Sequence, residues 1–153
     1  MTQPTVQQQM LFRVPRESVF EAFVNPDVTT KFWFTHSDGR LETGQTIQWE
    51  WRMYGCSTNV RVREIIPNEL IKFEWGEETT RSKVEITLEK RSEDSTLVTI
   101  TNHQFCGDEQ AVVAEAIGSM GGFSLVLANA KAYLEHGIDL KLILDHAPDA
   151  HVL

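Results

Sequence analysis

Residues 121–137 read GGFSLVLANAKAYLEHG. Phe123, Leu127, Ala130 and Leu134 recur at steps of four, three and four, which is one face of a 3.6-residue helix. Val126 and Tyr133 widen that stripe. Lys131 and His136 fall in the last two turns, where positive charge suits the carbonyl end of a helix, and Gly137 is placed to terminate it. The spacing predicts a long C-terminal helix. A helix with one apolar stripe needs a surface to bury it against, and the upstream sequence supplies a sheet.

Residues 6–14 alternate as a first strand, and Pro15 ends it. Pro15 and Glu17 then suit the opening turn of a helix whose apolar face is Val19, Phe20, Phe23 and Val24. Asn25-Pro26-Asp27 breaks that helix, and Asp27 is expected to cap a second short one running through Phe32. From Thr35 onward the period becomes two. Leu41 marks a short strand, and Ile47, Trp49, Trp51 and Met53 mark the next. Val60 and Val62, then Ile71, Phe73 and Trp75, then Val84, Ile86 and Leu88, then Val98 and Ile100 follow, each set interleaved with polar residues. This is an antiparallel meander of six strands beyond the first, apolar on one face and charged on the other. A helical piece over 109–119 precedes the long helix, and Gly118, Gly121 and Gly122 are expected to kink or interrupt it. The apolar segment Ile138–Leu144 is expected to pack back on the domain or to contact a partner.

The 153 residues form one domain, with a core over 6–137 and a tail over 138–153. With 41% hydrophobic residues, four Trp and eight Phe, the chain can build a core without a metal or disulfide, which excludes disorder. A net charge of -8 with scattered Lys and Arg argues against nucleic acid or an anionic membrane as partner. Cys56 and Cys106 lack CxxC spacing and read as free thiols of a reducing compartment. The N-terminal MTQPTVQQQ lacks a basic region followed by an apolar run, and no stretch approaches the ~18 uninterrupted apolar residues of a span. The expectation is a soluble cytoplasmic protein.

The order of strand, two short helices, meander and long helix resembles the START-like superfamily, also called the helix-grip or Bet v 1-like fold. Val14-Pro15-Arg16-Glu17-Ser18-Val19-Phe20-Glu21-Ala22-Phe23 is similar to the strand-to-helix opening of the family related to the C-terminal domain of the Hsp90 ATPase activator. Asn25-Pro26 followed by Phe32-Trp33-Phe34, Arg63-Glu64-Ile65-Ile66-Pro67, Phe73-Glu74-Trp75 and the closing stretch Gly121–Gly137 resemble that family's later signatures. The match spans residues 6–137. Phe123 stands where the family commonly has Trp, and Asn102 where it often has His. The resemblance implies an α+β helix-grip fold, in which a curved antiparallel sheet of six to seven strands wraps around the long helix and encloses a cavity. It also implies a protein-interaction or co-chaperone-like role as an alternative to ligand binding. A separate N-terminal chaperone-binding domain is not expected, and stimulation of a chaperone ATPase is the weaker expectation.

The residues agree with a cavity. Large aromatics on a curved sheet cannot all meet one helix face without gaps, and Gly121, Gly122, Ser124 and Ala128 leave room opposite them. The sheet is expected to line an apolar pocket with Trp49, Trp51, Phe73, Trp75, Ile86 and Ile100. Met120, Phe123 and Leu127 from the helix and Trp33 from the turn after the second helix complete it. The alternative is a filled core. Trp33, with His36 nearby, reads either as a lid or as an anchor for the second helix. Asn102, His36, Tyr54 and Glu64 fall near strand ends, where a few polar groups orient a ligand. The expected partner is a small hydrophobic molecule, a lipid or an aromatic, and a homodimer or a protein partner is compatible. No cofactor or metal is expected: His103-x-x-Cys106-x-Asp108 lacks further ligands. A cyclase- or hydratase-type enzyme would need a paired acid and base, which spacing does not reveal.

Overall fold

The computed structural model describes residues 3–152. Seven strands form one antiparallel sheet in the order β1-β7-β6-β5-β4-β3-β2. They are β1 (Val6–Phe12), β2 (His36–Ser37), β3 (Thr46–Trp51), β4 (Cys56–Ile66), β5 (Leu70–Trp75), β6 (Ser82–Ser92) and β7 (Ser95–His103). Helices α1 (Arg16–Val24) and α2 (Pro26–Thr29) fill the excursion between β1 and β2, and α3 (Glu109–His136) follows β7. Hairpins join each strand from β2 to β7, so the meander follows chain order and only β1 returns to pair with the last strand.

Alternation sets the register of the core face. Ile71 pairs with Ile86, and Ile86 pairs with Ile100, so one row of buried β-branched side chains crosses three strands. Phe73 and Val84 form the next buried row. The tight turn after β5 needs Gly76: its φ is 95°, and a Cβ there would lie 2.8 Å from the Thr80 carbonyl oxygen.

Helix α3 runs unbroken for 28 residues along β1 and β7. The expected interruption at residues 118–122 is absent. A glycine weakens a helix by about 1 kcal/mol relative to Ala but leaves every backbone hydrogen bond available, and tertiary packing over 28 residues outweighs that loss. Asp108 caps the start through Ala111 N at 2.8 Å. Gly137, left-handed at φ 67°, ends the helix with its N–H on the Tyr133 carbonyl at 2.8 Å. The seam joining α3 to the edge strand is ionic. Glu135 accepts from the Arg13 backbone N–H at 2.9 Å and from Lys131, whose ammonium also reaches the Leu11 carbonyl at 2.7 Å.

Several local expectations need correction. The first strand stops at Phe12. Asn25, not Asp27, caps α2: its side-chain oxygen accepts from the Asp27 N–H at 3.0 Å, and the helix stops at Thr29 rather than reaching Phe32. Leu41 is buried in a loop with its N–H on the Val24 carbonyl, and β2 lies earlier at His36–Ser37. Met53 belongs to a 3-10 turn, Arg52–Tyr54, rather than to β3.

The tail packs back. A short helix α4 (Leu142–Asp145) buries Ile143, and a 3-10 turn spans Pro148–Ala150. The buried Asn129 of α3 anchors both ends of this architecture. Its Nδ2 donates to the Phe32 carbonyl at 3.0 Å and its Oδ1 accepts from Leu140 N at 3.2 Å.

Candidate functional site

The site lies where the sheet and α3 diverge. Trp33 follows α2 and sits at the centre of an aromatic cluster, meeting Phe23, Trp49, Trp75 and Phe123 edge-on at centroid distances of 5.0–6.4 Å. Trp49 stacks on Phe34 at 4.3 Å and contacts Phe73 at 5.4 Å. At the outer edge of this cluster the packing stops. A cavity of about 520 Å³ opens beside Trp33, Trp51, Trp75 and Phe123. That volume lies within the roughly 300–1,000 Å³ of small-molecule sites.

Three elements complete the wall. Gly118 and Gly122, one turn apart on α3, face it with no side chain, and a Cβ built at either meets nothing within 4 Å. Ser119, Leu125 and Val126 flank them. The tail contributes Ile143, His146, Ala147 and Ala150. It is held there by Tyr54, whose hydroxyl donates to the Ile143 carbonyl, with the Leu144 carbonyl at 3.2 Å, and by Val152 N–H on the Met53 carbonyl at 2.9 Å. Burial raises the Tyr54 phenol above its ordinary range, so it stays a donor. Loss of hydration likewise raises the thiol of Cys56, which borders the cavity.

A second compartment of about 450 Å³ adjoins the first, sharing Trp51, Cys56, Trp75, Gly118 and Ser119. Its floor is polar. Asn102, 2% exposed, donates through Nδ2 to Ser82 Oγ at 2.9 Å and to the Lys83 carbonyl at 2.8 Å. Its Oδ1 accepts from Ser119 Oγ at 2.7 Å, which joins α3 to β7. Trp75 Nε1 donates to the same Ser82 Oγ at 3.1 Å.

The structure divides the expected lining residues into groups. Trp33, Trp51, Trp75 and Phe123 line the first cavity, and Asn102 lines the second. Trp49, Phe73, Ile86, Ile100 and Leu127 are packed beneath, each 1% exposed or less, and border neither compartment. Met120 faces away: two residues from Gly122 is roughly 200° around the helix, and it is 49% exposed. Trp33 is 6% exposed and packed at the cluster centre while also lining the cavity. His36 and Glu64 border neither compartment; His36 faces Asp38, and Glu64 faces Lys72. Ser82 and Ser119 are site residues beyond those expected from sequence, although Ser82 shares the core-facing parity of Val84, Ile86 and Leu88. Among the described residues no three His, Cys, Asp or Glu side chains converge as metal ligands, and both cysteines are free and exposed.

Helix α3 is long and apolar enough to cross a bilayer by length and composition, with a mean hydropathy of 1.7 over a window of which 22% is buried. Its outer face carries Val113 (47% exposed), Ile117 (70%) and Met120.

Comparison with known proteins places this geometry. A crystal structure from Staphylococcus saprophyticus superposes with a TM-score of 0.77 at 34% identity, covering 90% of this chain and 96% of that one. The solution structure of the Aha1 dimer from Colwellia psychrerythraea matches with a TM-score of 0.73 at 20% identity, covering 88% and 98%. The crystal structure of an HSP90 activator from Plasmodium falciparum gives 0.67 at 16%, covering 87% and 96%. No curated protein matches. The family described as Activator of Hsp90 ATPase homolog 1-like protein matches residues 13–135, from the end of β1 to the last turn of α3, and the chain belongs to that family.

Proposed function

We propose that this protein binds a small hydrophobic molecule between the sheet and α3. The observation that carries the reading is the cavity beside Trp33, Trp51, Trp75 and Phe123, opened by Gly118 and Gly122. Three indoles and a phenyl ring present a large apolar surface, and Tyr54, Ser119 and His146 are the few polar side chains on the wall. Binding removes that surface from water, which is favourable at about 25 cal/mol per Å². Titration of the intrinsic tryptophan fluorescence with a lipid and aromatic panel tests it. Saturable quenching that Gly122→Leu abolishes supports the reading; unchanged quenching in that folded variant overturns it.

A second reading rests on the outer face of α3. Val113, Ile117 and Met120 form an exposed apolar stripe, the kind of surface that a protein partner covers. The Plasmodium relative is described as an HSP90 activator and the Colwellia relative as a dimer. Sedimentation and the ATPase rate of an Hsp90-type chaperone, each with wild type and Ile117→Glu, test this interaction role. An effect of the wild type that the variant loses supports it. Indifference of both assays to the protein removes it.

A further inference from the structure

We infer that the two adjoining compartments take a single amphipathic ligand with a neutral hydrogen-bonding head, such as a hydroxyl or a primary amide, and not a carboxylate. This rests on the ligand-binding reading above and specifies its ligand.

The inference follows from counting donors and acceptors in the polar floor. Ser82 Oγ accepts from Trp75 Nε1 and Asn102 Nδ2, while its own hydrogen has no protein acceptor among the described residues. Asn102 Nδ2 spends both hydrogens, on Ser82 and on the Lys83 carbonyl, and its Oδ1 accepts only from Ser119. Ser119 Oγ spends its hydrogen on Asn102 and keeps free lone pairs. The floor therefore offers one donor, Ser82, beside two acceptors, Asn102 Oδ1 and Ser119 Oγ. Ser82 and Asn102 are 5% and 2% exposed, so the unspent Ser82 hydrogen favours a ligand acceptor, and the spare lone pairs beside it favour a ligand donor. A hydroxyl or amide, which both donates and accepts, satisfies it. A carboxylate accepts only, and it would face the Asn102 and Ser119 lone pairs.

Charge points the same way. No Lys or Arg lines either compartment, and the one charged residue on the walls of the second is Glu115. An ionised carboxylate entering there would lose its hydration without gaining a cation. The apolar part of the ligand lies in the adjoining compartment, where Trp51 and Trp75 border both spaces.

The test is tryptophan quenching at pH 8 with three probes: dodecyl alcohol, laurate and the headless dodecylbenzene. The alcohol is expected to bind at least about tenfold tighter than either of the others, a ratio readable from the Kd values. Ser119→Ala should narrow the gap between the alcohol and dodecylbenzene, and Ser119→Lys, which installs a cation beside the polar floor, should shift the preference toward laurate. Far-UV circular dichroism confirms that both variants are folded. Equal or tighter wild-type binding of laurate, or equal binding of dodecylbenzene, overturns the neutral-head assignment while leaving the cavity as a hydrophobic site. Absence of quenching by all three probes overturns the ligand-binding reading itself, and this inference with it.

Discussion

Trp75 of β5 and Phe123 of α3 stack with ring centroids 5.6 Å apart and planes 20° from parallel. This contact joins the sheet to the helix at the edge of the cavity. Phe123 is 3% exposed and also meets Trp33 edge-on at 5.9 Å. Phe123→Ala removes both contacts and leaves a hole beside an existing one. We expect a loss of about 3–5 kcal/mol, measured by urea denaturation. A loss below about 1 kcal/mol would mean that the helix is not seated on Trp75.

The glycines of α3 predict an opposite sign. At Gly118 and Gly122 a Cβ meets nothing within 4 Å, so a side chain there starts into open space. Gly122→Leu is expected to raise stability by about 0.5–1 kcal/mol through helix propensity while filling the cavity. Probe affinity should fall by about tenfold or more. Thermal melts and fluorescence titration on the same sample read both effects, and a destabilised variant would contradict the open space.

The Glu135 seam predicts an acid sensitivity. Burial alone would raise this carboxyl, but the Arg13 N–H and Lys131 outweigh it and hold its pKa below the usual carboxylate range. With the folded-state pKa depressed, its contribution is full above the unfolded value of about 4.3 and is lost as pH falls through the folded value. Glu135→Gln should destabilise by about 1–2 kcal/mol at pH 7, since the side chain is only 8% exposed and its bonds are charge-assisted. The gap between wild type and variant should close as pH falls below about 4, as read by denaturation at stepped pH.

Tyr54 predicts the alkaline counterpart. Its phenol is raised by burial first and then by the charge of Asp145. The stabilising hydroxyl bond to Ile143 is present below the unfolded pKa of about 10 and is lost as pH rises through the higher folded value. Tyr54→Phe should lower stability by about 1 kcal/mol. It should also speed amide exchange over 138–152, seen by mass spectrometry, with little change over β5–β7. Uniform exchange across the chain would show that Tyr54 does not hold the tail.

How much of this was readable from residues alone depended on the range of the force involved. Alternation of large and polar side chains is a local signal, and it revealed the meander because one face of each strand is buried. The same signal could not separate a residue that fills the core from one that borders a cavity. Trp49 and Trp51 share a face, yet Trp49 is covered by Phe34 and Trp33 while Trp51 reaches the gap. That difference depends on where α3 ends up, which no window of strand sequence contains. Gly118 and Gly122 read as breakers because propensity is local; long-range packing keeps the helix continuous and turns their missing side chains into space. Asn102 was singled out from its position near a strand end, but its partners Ser82 and Ser119 come from elements 20 residues before it and 17 after it.

The outer wall of the cavity, from Ile143 to Ala150, comes after the stretch that the family model matches, which ends at residue 135. It is held on the 3-10 turn between β3 and β4, by the Tyr54 hydroxyl and by the Val152 N–H on the Met53 carbonyl, and contributes no strand to the sheet. The wall is thus laid over the scaffold like a faceplate on a socket, fastened by Ile143 in the core and by the Leu140 N–H on Asn129. On the ligand-binding proposal, exchanging residues 143–150 between relatives would retune which molecules are admitted, making this short stretch the natural place to engineer selectivity.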